Sequence, residues 1–170
     1  GTLPLVSVTE GAIMSPPALV GDAVVFVSYP RRSDVWSIWT TDGTESGTKI
    51  VRSFGAEHGV VNPSDLSAIA SGLFVSVVDL NTSDGISSDA GLWFTDGTSE
   101  GTVQLVADAF AEAAAFTKIG QSFVFVGQGG HLWRTDLTAA GTQQVSPVEV
   151  SRIWSINPFA EVGNKLLFAA

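Results

Sequence analysis

Leu92-Trp93-Phe94-Thr95-Asp96-Gly97-Thr98-Ser99-Glu100-Gly101-Thr102 is the stretch on which the fold turns. It begins as an apolar and aromatic run suited to a strand. It then meets Asp96-Gly97, and a second apolar run starts at Val103. Glycine tolerates a positive φ angle, and an Asp side chain can bond the backbone just ahead of it. The stretch therefore predicts a strand, a tight turn and a returning strand. It occurs three times. One copy is Ile38-Trp39-Thr40-Thr41-Asp42-Gly43-Thr44 followed by Gly47-Thr48, and another is Leu132-Trp133-Arg134-Thr135-Asp136-Leu137-Thr138 followed by Gly141-Thr142. In the last copy Leu137 stands in the glycine position, so its turn is expected to differ slightly.

A second motif precedes each copy, and a fourth example stands near the C-terminal end. Pro17 to Gly21 leads into Val24-Val25-Phe26-Val27, and Leu66 to Ala70 into Leu73-Phe74-Val75. Phe116 to Gly120 leads into Phe123-Val124-Phe125-Val126, and Phe159 to Gly163 into Leu166-Leu167-Phe168. The units start at residues 17, 66, 116 and 159, spaced 49, 50 and 43 residues apart. That is the period of a four-stranded propeller blade. The first strand ends at the Val-Gly or Ile-Gly turn, the second is the Phe-Val-Phe run, and the third carries Leu-Trp. The fourth follows Gly-Thr, over residues 49–52, 103–106 and 143–145. Helical periodicity competes only over residues 107–115.

The predicted fold is all-β: four-stranded antiparallel blades of a β-propeller. Full blades fall near residues 17–65, 66–115 and 116–158, with partial blades over 1–16 and 159–170. In this reading Trp39, Asp42, Gly43, Gly47, Trp93, Asp96, Gly97, Gly101, Trp133, Asp136 and Gly141 are structural. The three tryptophans are expected to pack between neighbouring blades, where a large aromatic side chain stabilises most.

These residues resemble the ELWxxDGTxxGT repeat family of large bacterial surface and secreted proteins, in register over nearly the whole chain. The departures are Ser37, Gly91 and His131 at the Glu position, and Leu137. The resemblance implies a propeller-like fold and an extracellular, cell-surface or periplasmic setting. It implies no activity, so no catalytic residue is carried over.

Three blades with partial flanks do not complete a ring of about four to eight blades. Residues 2–6 follow Gly1 as fourth strands follow Gly elsewhere, so the chain is expected to enter at the end of one blade and leave within another. Gly1 is not a natural initiator and no signal peptide is evident, which suggests a processed or trimmed chain. A longer propeller chain is favoured over pairing between chains, because a shared blade would lack its Trp-bearing strand.

With 170 residues, 45% hydrophobic and 15% charged, the chain has the composition of a folded domain. The net charge of −9 argues against nucleic acid and against an anionic membrane surface. It fits a soluble extracellular protein or cation binding. The absence of cysteine excludes disulfides, thiolate metal sites and cysteine nucleophiles. No apolar run is long enough to span a bilayer as a helix.

Binding residues are expected in the variable loops, which connect strands two and three and join the blades. Candidates in the first are Tyr29, Arg31, Arg32, Asp34 and Trp36; in the second, Asp79, Asn81 and Asp84; in the third, His131. Inter-blade segments add His58 and Trp154. Arg31-Arg32 beside Tyr29 and Trp36 could hold a carboxylate or sugar acid, or be a solvated pair beside core aromatics. Asp79, Asn81, Ser83 and Asp84 resemble a calcium loop, but Asp84 takes the glycine slot and Gly85 comes one residue late. A solvated loop is the simpler reading, with calcium as the alternative and no other cofactor expected. His58 and His131, the only histidines, have no marked third ligand. The predicted function is non-enzymatic: protein binding, adhesion or scaffolding, with a partner protein or a larger assembly of the same protein. A lectin-like propeller that binds glycans is the alternative, and a propeller hydrolase the third reading.

Overall fold

Apolar side chains recur with the strand period in each unit, and every run is closed by a turn that glycine or Asp can make. The protein is seen here as a computed structural model that describes residues 11–13, 17–30, 35–54, 61–79, 90–107, 114–149, 159–162 and 165–168. The strand expected over residues 2–6 lies outside them.

The first sheet holds β1 (Gly11–Ile13), β2 (Ala18–Val20), β3 (Ala23–Pro30), β4 (Trp36–Thr41) and β5 (Lys49–Phe54). The second holds β6 (Val61–Ile69), β7 (Gly72–Asp79), β8 (Gly91–Thr95) and β9 (Val103–Ala107). The third holds β10 (Ala114–Ile119), β11 (Ser122–Val126), β12 (His131–Thr135) and β13 (Gln143–Glu149). A last pair is β14 (Phe159–Val162) and β15 (Lys165–Phe168). Neighbours in each sheet are antiparallel and run in chain order, giving three four-stranded antiparallel sheets. Within 107–115, Ala107 ends β9 and Ala114 and Ala115 open β10, so strand continues at both ends of the segment considered for a helical turn.

In the first sheet β1 and β2 share one position, both pairing with β3. Pro16 and Pro17 stand between them in sequence. The equivalent first strand of the second sheet, β6, also carries a proline, Pro63, beside which its pairing with β7 shifts register. The hairpins from first to second strand close over two residues, Val20 pairing with Ala23 and Ile119 with Ser122. Gly21 and Gly120 sit at φ 60 and 59 in these turns, as the Val-Gly and Ile-Gly reading requires.

The sheets pack face to face in succession. Val25, Val27, Trp36, Ile38 and Phe54 of the first sheet meet Leu73, Val75, Val77 and Trp93 of the second in one core. Phe74, Leu92, Phe94 and Leu105 meet Phe123 and Phe125 in the next, with Phe116, Trp133 and Leu137 packed against it. Val124 and Leu132 meet Phe159 in a third. The middle sheet is thus apolar on both faces, and all five residues of β8 are buried. First strands also succeed one another: β2 lies against β6, β6 against β10, and β10 against β14. Among the described residues the row of sheets does not close into a ring.

Candidate functional site

The repeated turn is one hydrogen-bonded unit built from Thr41, Asp42, Gly43, Thr44, Gly47 and Thr48. Asp42 Oδ1 accepts the Thr44 backbone N–H at 2.9 Å and the Thr44 hydroxyl at 2.7 Å. The Gly47 N–H donates to Thr44 Oγ1 at 2.9 Å, and the Thr48 hydroxyl donates to the Thr44 carbonyl at 2.6 Å. A hydroxyl has one proton, so in the Thr41–Thr48 contact at 2.6 Å Thr41 must donate. The Thr41 oxygen in turn accepts the Gly43 N–H at 3.1 Å. The same bonds recur around Asp96 and around Asp136.

Both glycine positions now have reasons. Gly43 and Gly97 take φ near 90, and Leu137 takes φ 73 in the third copy. The turn geometry is therefore kept with leucine, contrary to the expected difference. Leu137 also packs against the core between the second and third sheets, which offsets its backbone strain. Gly47, Gly101 and Gly141 are glycine for another reason: a Cβ there would overlap the carboxylate of Asp42, Asp96 or Asp136. Hydrogen bonds from the Thr44 hydroxyl and N–H hold the Asp42 carboxyl below the usual range, and Thr138 does the same for Asp136. The turns are inter-sheet devices as well. A Cβ on Gly97 would stand 3.0 Å from Val25 Cγ2 in the first sheet, and the Ser99 hydroxyl reaches the Val51 carbonyl at 3.4 Å.

The opposite ends of the sheets carry the variable connections. Antiparallel order gathers there the ends of β3, β7 and β11 and the starts of β4, β8 and β12. Tyr29 is in β3 opposite Ala12, and Asp79 ends β7 opposite Val61. Arg31, Arg32, Asp34, His58, Asn81, Asp84 and Trp154 lie outside the described residues. Of the two readings of this loop, the structure favours Trp36 as a core aromatic over an exposed ring for a ligand. It is 0% exposed and stacks on Phe54 at 4.0 Å. Its place in β4, beside Ile38 on the face toward the second sheet, makes it a core side chain.

His131 opens β12 after a 3-10 turn over Gln128–Gly130, where Gly129 and Gly130 take φ 72 and 76. The Gly127 N–H donates to the His131 carbonyl at 2.9 Å, closing this loop. The half-buried imidazole lies over Gly129, with Nδ1 buried and without a hydrogen-bond partner among the described residues. Among the described residues no group of three or more His, Cys, Asp or Glu side chains could hold a metal ion. Nor is any helix among them long and apolar enough to cross a membrane.

Of the tryptophans expected between neighbouring blades, Trp93 lies in the core shared by the first and second sheets, held by partners that the motif does not announce. Trp93 meets Phe54 edge to face at 5.1 Å, and the Arg52 guanidinium lies 4.1 Å over its ring. Arg52 also lies 5.1 Å over Phe54. A cation over an aromatic face contributes about 0.5–2 kcal/mol, depending on how dry the site is. The clamp comes from β5 of the preceding sheet, and no motif marks it. Trp39 instead donates its indole N–H to the Ser28 hydroxyl at 2.7 Å and stacks on Phe26.

Compared with protein-family models, with curated proteins and with solved structures, the chain finds no significant match.

Proposed function

We propose that the chain is a stretch of β-propeller that binds a protein partner or scaffolds a larger assembly, in a secreted or cell-surface bacterial protein, without catalysing a reaction. The observation that carries this reading is the succession of three equivalent sheets, stacked face to face with their first strands adjacent. A stack of this kind has one end held by the repeated turns and one end where connections differ in length and content. A rigid support under variable loops is a common arrangement for recognition. The motif residues that resemble ELWxxDGTxxGT repeats support the extracellular setting. That resemblance rests on the motif alone, since no family model matches.

The test is affinity capture with the native chain and with a variant whose loops at residues 31–34, 80–89 and 128–130 are replaced by short Gly-Ser turns. The account expects a defined protein partner that the native chain retains and the loop variant loses. Equal retention by both chains would contradict it. So would selective binding on a glycan array, which is the outcome a lectin-like propeller requires, or turnover of a glycoside or ester panel that survives repurification.

A further inference from the structure

We draw no further inference here: the strongest candidate, the face of the first sheet turned away from the second, where Leu19 and Ile50 are exposed near Phe26 and Trp39, carries nothing because nothing in the structure shows what covers it.

Discussion

Gly101 and Asp96 depend on each other in a way that composition alone would not reveal. The carboxylate lies against the glycine Cα, so a methyl group at that position must displace either the Asp side chain or the backbone. Gly101→Ala is expected to destabilise by about 1–3 kcal/mol, the range for forced overpacking, as read from urea unfolding. Leu137 offers a sharper test, because its φ of 73 is strained for any residue with a Cβ. Leu137→Ala keeps the strain and loses packing against the second core. Leu137→Gly loses the same packing but removes the strain. The glycine variant should therefore be the more stable of the two, by about 1 kcal/mol. The reverse order would mean that the backbone at Leu137 is not left-handed.

Acid titration probes the same turns. Hydrogen bonds from Thr44 and Thr138 hold the folded-state pKa of Asp42 and Asp136 below the ordinary carboxylate value. A carboxyl whose folded pKa is depressed contributes stability that is full above its unfolded value and is lost as pH falls through the folded one. Stability should fall below about pH 4 as these groups protonate. The double variant Asp42→Asn, Asp136→Asn keeps an acceptor oxygen but no titration, so its loss over that window should be smaller. An unchanged acid profile in parallel melts would remove the turns from this account.

Among the elements, the third strand is the one whose aromatic residue ties sheets together, and its burial decides how much it contributes. Trp93 is 4% exposed and held by Phe54 and Arg52, whereas Trp39 is half-buried on the first sheet's other face. Trp93→Ala should cost about 3–5 kcal/mol, the range for a large aromatic removed from a core. Trp39→Ala should cost clearly less. Equal losses by chemical denaturation would show that the ring at 93 does not bridge the two sheets.

The strands themselves were legible because each motif is repeated and each turn carries its own chemistry. Expected second strands at 24–27, 73–75, 123–126 and 166–168 all fall within β3, β7, β11 and β15. What could not be read were features that arise only between strands. Every third-to-fourth pairing shifts register beside its tryptophan, at Ile38/Trp39, Leu92/Trp93 and Leu132/Trp133. Such bulges add twist to an outer strand and help to protect its edge. They follow from how the pair fits its neighbours, and no residue type announces them. Trp36 shows the same limit: the residues Tyr29, Arg31 and Arg32 leave both a surface and a core reading open, and only its strand parity with Ile38 places it in the core.

At the scale of the whole molecule, the question is whether the sheets fan out around an axis or stack in parallel. Only a fan makes a propeller, and only a propeller arranges the variable loops around one axis. The chain has no cysteine, so pairs of spin labels can be placed without background. Leu19 and Lys118 are exposed at equivalent positions on the first strands of the first and third sheets. Ile50 and Gln144 are exposed at equivalent positions on the fourth strands, each opposite its motif tryptophan. The most direct measurement is the pair of distances from Leu19→Cys with Lys118→Cys and from Ile50→Cys with Gln144→Cys. A parallel stack puts both near 20 Å before label arms, since packed sheets lie about 10 Å apart. The account predicts that the fourth-strand distance is clearly the longer, as blades require; equal distances would contradict it.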